Sequence, residues 1–261
     1  MTRTVGRALM GQFEVIHALV MRETRTRFGA HQLGYLWALV EPSLMILTFF
    51  VLFKIGKRVP PFGMDIFPFI ATGIIPFLLF SHSVNKVAES INGNKALLFY
   101  PQVKPLDLVM ARMTLEFCTF SGVFMILLGS NVLYRQELAI SDPLLIVMSF
   151  VLASALGGSL GLVFCGLSQI SKVAERARGP LMRPFFWLSG IFFAANALTG
   201  NIRELMLYNP VLHVVELCRG GWFPGYDPVH ADPFYVVVWI LGLAFVGLSL
   251  ERVVRRRIEV T

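Results

Sequence analysis

Few side chains in this sequence are equipped for chemistry, and those few lie in apolar surroundings. Glu41 interrupts the apolar run from Leu36 to Phe53 and is followed at once by Pro42. Arg112 and Glu116 stand four apart in another such run, on one face of a helix, where they can pair. His213, Glu216 and Arg219 punctuate the short stretch VLHVVELCRG behind Asn209 and Pro210. An ionised side chain at the centre of a membrane helix costs about 2.5–3.5 kcal/mol, so each of these groups needs a partner, a watery cavity or a place near the membrane edge. Glu41 admits two readings, a functional group inside the membrane or an edge carboxylate paired with a neighbouring Arg. Arg112 and Glu116 read chiefly as mutual neutralisation. Taken as chemistry, Glu41, Arg112, Glu116 and His213 would equip a membrane-embedded lipid-processing enzyme.

The rest of the catalytic vocabulary is missing from the sequence. It holds no GxxxxGK[ST] phosphate loop and no HExxH metal motif. The five His residues are scattered, and Cys118, Cys165 and Cys218 share no close spacing, so they read as small core residues and no metal or catalytic site is expected. The longest cytoplasmic loop expected, about twenty residues, is too small to be an ATPase domain. These features describe a pore-former that draws its energy from elsewhere.

The elements that position these groups are membrane helices. At 261 residues, 56% hydrophobic and 13% aromatic, with the apolar residues in long blocks, the composition is that of an all-α integral membrane protein. The net charge of +7 comes from basic residues flanking the spans, which suits anionic headgroups and not nucleic acid. Six spans are predicted, at 36–53, 66–84, 106–130, 143–167, 182–198 and 234–250. In the first, eleven Leu, Ile, Val or Phe residues contribute roughly −0.3 to −0.6 kcal/mol each at mid-bilayer and outweigh one carboxylate at about +3. Six crossings place both termini on one side. Sixteen of the 23 Lys and Arg residues fall on that side, six in the opposite loops, and Arg112 inside the third span, so both termini are expected in the cytoplasm. Lys54, Lys57 and Arg58 in the first outer loop run against the rule.

The first thirty residues carry no continuous apolar stretch of the signal-peptide kind and hold Arg7, Glu14 and Arg22. Leu9, Phe13, Ile16 and Val20 line one side of a helix and Arg7, Glu14, Arg22 and Arg25 the other, which predicts an amphipathic helix along the cytoplasmic interface or a solvated helix packed on a soluble partner. Between the second and third spans, Asn92, Gly93, Asn94 and Lys95 form a turn signal ahead of Ala96, Leu97, Leu98, Phe99 and Tyr100. These apolar side chains have no local core to join and seek a partner protein or the membrane surface. Small residues from Ala153 to Gly161 predict close helix approach. The outer segment 199–233 contains a helix too short to cross, closed by Gly220, Gly221, Trp222 and Phe223, and is read as re-entrant or interfacial.

Three separated motifs carry a family resemblance. TRTRFGAHQLGYLWALVEPSLMILTFFVLF (24–53) resembles the N-terminal signature of ABC-2 type transporter permeases, GIIPFLLFSHSVNKVAESINGNKALLFYPQVKP (73–105) their second span and coupling-helix loop, and MRPFFWLSGIFFAANAL (182–198) with YNPVLHVVELCRGGWFPGY (208–226) their fifth span and outer re-entrant helices. The pattern SGIFF…NP…H…E…R…F is most similar to the capsular polysaccharide exporters of the KpsM type. The likeness covers nearly the whole chain, as a single transmembrane domain over 1–261: an interface helix (1–32), spans one to five (33–198), the outer re-entrant segment (199–233, with Asn209, Pro210, His213, Glu216 and Arg219), and span six with its basic tail (234–261).

The resemblance implies a non-catalytic permease in the bacterial inner membrane, paired as a homodimer around a glycan channel and driven by two copies of a separate ABC ATPase. ATP and Mg would belong to that partner, with no cofactor in this chain. Residues 92–101 would be the coupling helix, with Asn92, Gly93, Asn94, Lys95, Leu97, Leu98, Phe99 and Tyr100 facing the ATPase. The cargo would be a lipid-linked acidic capsular polysaccharide, passed to a periplasm-spanning co-polymerase-type adaptor and an outer-membrane exporter. A sliding glycan suits weak stacking on aromatic faces, for which Tyr35, Trp37, Phe185, Phe186 and Trp187 are candidates beside Glu41. Arg22, Arg25, Arg27 and Arg183 are candidates to attract an anionic headgroup at the entrance. Ordinary interface belt and positive-inside charge explain both sets equally well. An O-antigen, teichoic-acid or drug permease is the alternative within the family.

Overall fold

The computed structural model describes residues 2–28, 34–100, 102–136 and 140–258; within these ranges the side chains of residues 2–10, 27–28, 34–35, 95, 98–99 and 254–258 lie outside the described set. Among the described residues there are nine α-helices and no strand: α1 (Thr2–Phe28), α2 (Gly34–Ile55), α3 (Ile66–Ala88), α4 (Pro105–Arg135), α5 (Pro143–Ile170), α6 (Lys172–Leu188), α7 (Gly200–Leu207), α8 (Pro210–Trp222) and α9 (Pro233–Ile258). Five stretches, Leu36–Ile55, Ile66–Ala88, Pro105–Arg135, Pro143–Ile170 and Pro233–Val253, are long and apolar enough to cross a membrane. A 3-10 turn, Asn92–Phe99, follows α3.

The packing is centred on α3, in which every residue from Pro68 to Phe80 is buried, as a helix apolar on all sides requires. It lies against α2, α4, α5 and α8. The small residues of α5 make the closest approach possible. A Cβ on Gly161 would stand 2.7 Å from the Cβ of Val87, and one on Gly157 2.7 Å from that of Ser83. Without side chains at these two points the helices meet backbone to backbone. By contrast, only 17% of the spanning window of α2 and 11% of that of α9 is buried, leaving Leu44, Leu47, Val51, Leu241 and Phe245 exposed. Cys165 and Cys218 are core residues, but Cys118 is exposed because α4 buries only one side.

Two expectations are corrected. The span predicted over 182–198 is not one helix: α6 ends at Leu188, Gly190 adopts φ +76°, and a short 3-10 turn forms at Ala195–Ala197. Pro180 and Pro184 each remove a backbone donor from α6, and Gly190 takes a left-handed conformation that other residues resist. The apolar face of α1 also divides. Leu19, flanked by Val15 and Val20, packs on Leu108 and Ala111 of α4, whereas Phe13 is 71% exposed. At 31 residues α4 is about 46 Å long, well beyond about 30 Å of hydrocarbon, so its first turns are free to meet α1.

Candidate functional site

The 92–99 turn is held from three sides. Asn94, only 6% exposed, accepts a hydrogen bond from the Arg22 guanidinium at 3.0 Å and donates its own amide to the Ser90 carbonyl at 3.1 Å. Asn92 accepts from Gln169 of α5 at 2.7 Å, and just before the turn Glu89 accepts from Arg178 of α6 at 2.5 Å. Leu97 does have a local core, the α1–α4 cluster around Leu19 and Leu108, contrary to the expectation that the whole apolar run is exposed. The sequence-local view could not include it, because α1 reaches the turn from far earlier in the chain, as the 72-residue separation of Arg22 from Asn94 shows. Gly93 and Tyr100 are exposed. The side chains of Lys95, Leu98 and Phe99 lie outside the described residues.

The charged groups of the apolar helices are gathered at the junction of α2, α3 and α4. His82 stands between two carboxylates, its Nε2 3.4 Å from Glu41 and its Nδ1 3.7 Å from Glu116. Glu41 is 57% exposed and Glu116 is 2% exposed, so this line of groups leads from the helix surface inward. Arg112 is claimed by Glu23 of α1 at 3.2 Å and by the Lys86 carbonyl at 2.6 Å. Glu23, Thr26, Lys86, Arg112, Leu115 and Glu116 surround a small cavity of about 230 Å³ that gives these charges room for solvent.

The aromatic candidates separate. Phe186 and Trp187 meet Phe49 of α2 with ring centres 5.8 and 6.4 Å apart, and Phe192 joins them at 4.6 Å from Phe49. Phe185 lies 6.4 Å from Phe80 of α3. Trp37 takes no part and is 68% exposed, and the Tyr35 side chain lies outside the described residues. Of the basic candidates, Arg22 and Arg25 border a concavity on α1 with His17 and Met21, Arg183 is exposed, and Arg27 lies outside the described side chains.

The outer residues form a clamp on the broken helix. Asn209 caps α8 by accepting from the Val211 N–H at 3.0 Å and donates to the Leu188 carbonyl at 3.1 Å, so one amide closes the start of α8 and the end of α6. Pro210 occupies the first turn of α8, where its missing N–H is harmless. His213 accepts from the Asp232 N–H through Nδ1 at 2.9 Å and therefore donates through Nε2 to the Leu207 carbonyl at 2.8 Å. Both ring nitrogens are thus used in holding backbone. The Arg219 side chain is wholly buried and donates to the carbonyls of Phe193 at 2.6 Å and Ile191 at 2.9 Å and to Glu216 at 3.1 Å, with Phe69 stacked 4.1 Å away. Glu216 also accepts from the Ala195 N–H at 3.2 Å and from the Tyr226 hydroxyl. Burial, reinforced by that carboxylate, pushes the Tyr226 phenol up, which keeps it protonated as a donor.

Sequence reasoning passed over His82, Phe49, Phe192, Glu89, Gln169, Arg178 and Tyr226. His82 was visible only as one scattered histidine, and the others carry no local signal.

Comparison with known proteins adds direct likeness. The family model for ABC-2 type transporters matches residues 14–223. The polysialic acid transport protein KpsM of Escherichia coli is 31% identical over 91% of this chain and 92% of its own. The capsule polysaccharide export inner-membrane proteins CtrC of Neisseria meningitidis serogroup A and BexB of Haemophilus influenzae are 27% and 28% identical, over 93% and 98% of this chain and 92% and 97% of theirs.

Proposed function

Because this chain belongs to the ABC-2 type transporter family, we propose that it is the permease of an ATP-driven exporter carrying lipid-linked acidic capsular polysaccharide across the bacterial inner membrane. The observation that carries this reading is likeness to several capsule-export proteins along almost the full length of both partners. The chain acts as a transport component and not as an enzyme. That accords with the use of His213, Glu216 and Arg219 to hold backbone and one another.

In this reading two copies form the channel, and the exposed apolar faces of α2 and α9 meet lipid or the second copy. The 92–99 turn takes the thrust of a separate ABC ATPase, present as two copies and holding ATP and Mg. Glycan then passes to a periplasm-spanning adaptor and an outer-membrane exporter. Five crossings would separate the termini, so both lie in the cytoplasm only if α6 makes a sixth. Lys172, Glu175, Arg176, Arg178 and Arg183 lie within its first twelve positions, so the sixth crossing in this reading is completed by its apolar end, Pro184 to Leu188, together with the chain through Leu198, and α7 with the largely buried α8 then dips back from the outer face as a re-entrant pair.

The test is complementation of a strain deleted for its own copy. Surface polysaccharide is expected to return only when an ATPase subunit able to hydrolyse ATP is co-expressed. Return with a hydrolysis-dead ATPase, or with this chain alone, would overturn the reading.

A further inference from the structure

The helical path breaks at Ser171, which is extended (φ −146°, ψ 127°) between α5 and α6 and caps α6 by accepting from the Val173 N–H. Both sides of this break are tied to the short connection after α3. On the α5 side, Gln169 donates to Asn92, the first residue of the 3-10 turn, at 2.7 Å. On the α6 side, Arg178 donates to Glu89, the residue that ends α3, at 2.5 Å. The two ties therefore straddle a hinge and converge on residues 89–92.

The helix beyond the hinge is lightly packed along its first turns. Met182 is its only buried residue, and Pro180 and Pro184 weaken its internal hydrogen bonding. Eight or nine residues past Arg178, about 12–14 Å along the helix, Phe186 and Trp187 stack on Phe49. A displacement of Arg178 is thus carried along one helix to the aromatic cluster.

We propose that Glu89 and Arg178 form a latch through which movement of the 92–99 turn swings α6 about Ser171 and repositions Phe186 and Trp187 against Phe49. These are positioning residues; they touch no cargo. The proposal rests on the reading that the turn receives the thrust of an ATPase, and it adds the route by which that thrust leaves the turn. The Glu89 side chain is 50% exposed and that of Arg178 13%, so Glu89 is the milder site to replace, and co-purification of the ATPase reports whether each variant has kept its fold.

The experiment compares Glu89→Arg, Arg178→Glu and the exchanged pair E89R/R178E, co-expressed with the ATPase in the deleted strain. Three quantities are measured: ATPase co-purification, ATP hydrolysis by the purified complex, and surface polysaccharide by cationic-dye binding. Each single variant is expected to retain ATPase binding and hydrolysis within twofold while surface polysaccharide falls at least fivefold. The exchanged pair is expected to recover to within twofold of the parent. Unchanged polysaccharide in both single variants, no recovery in the exchanged pair, or loss of ATPase binding in a single variant would each overturn the latch. Failure of the parent itself to bind the ATPase would instead overturn the functional reading on which the latch rests.

Discussion

Arg219 stands three residues beyond Glu216 on α8, and the two side chains, 0% and 1% exposed, meet at 3.1 Å while the guanidinium reaches on to two carbonyls of the chain that follows α6. Backbone that leaves a helix inside a packed core must find other partners, since no solvent is there to supply them. Arg219 supplies the donors, and Glu216 balances its charge.

Replacing Arg219 by Met is expected to strand Glu216 and the carbonyls of Ile191 and Phe193. Removing one member of a buried pair costs about 3–5 kcal/mol. Thermal unfolding of the detergent-solubilised protein should show a sharply lowered midpoint and poor folded yield. The double variant R219M/E216Q should be less damaged than R219M; equal damage would mean that the carbonyls and not the charge dominate.

Tyr226→Phe removes one donor to Glu216 and is expected to cost about 1–3 kcal/mol near neutral pH. The sign of its alkaline behaviour follows from linkage. The folded protein holds the phenol proton above the ordinary tyrosine value near 10, so this contribution is present below about pH 10 and is lost as pH rises beyond it. Thermal midpoints measured across alkaline pH should fall less steeply for the Phe variant than for the parent.

Within the 92–99 turn, neighbouring residues should respond differently. Leu97→Asp places a charge in the cluster with Leu19 and Leu108 and should lower stability and folded yield. Leu98→Asp with Phe99→Asp should leave a stable, membrane-inserted protein that no longer co-purifies with the ATPase. Retained ATPase binding by that pair would remove both residues from the contact.

Glu41→Gln is expected to reduce export severalfold while membrane insertion and yield stay near those of the parent. His82→Ala, which removes the group between Glu41 and Glu116, should produce the same division. Normal surface polysaccharide in the Glu41→Gln strain would assign this carboxylate a structural role only.

Gly161→Leu should separate α3 from α5, because even a Cβ at this position falls 2.7 Å from Val87. Overpacking of a tight contact costs about 1–3 kcal/mol, and backbone contact leaves little room for relief. Folded yield after detergent extraction gives the measure, and parent-like yield would show that the helices can part.

Much of the membrane architecture was legible because hydropathy and charge are summed over neighbours in the chain. The first four predicted spans and the last correspond to α2, α3, α4, α5 and α9, and the small-residue stretch of α5 does lie where helices approach closely. The span predicted over 182–198 is not one continuous helix, for an identifiable reason. Its apolar residues satisfy a window average, but Pro180, Pro184 and the positive φ of Gly190 act on backbone geometry, which such an average ignores. Phe185, Phe186 and Trp187 were visible as an aromatic run, but their meeting with Phe49, and the separation of Trp37 from them, depends on how α2 lies beside α6.

By itself the sequence determined that this is a helical membrane protein, which runs of residues are apolar enough to cross, and which family it resembles, because each depends on residue type at short range. Only the tertiary structure decided what the charged and polar residues hold. Arg219 meets Ile191 and Phe193, Asn209 joins α6 to α8, and Arg178 reaches Glu89 across 89 positions of chain. A polar group in an apolar setting must take a partner wherever the fold brings one, often a backbone carbonyl, and a carbonyl has no letter in the sequence.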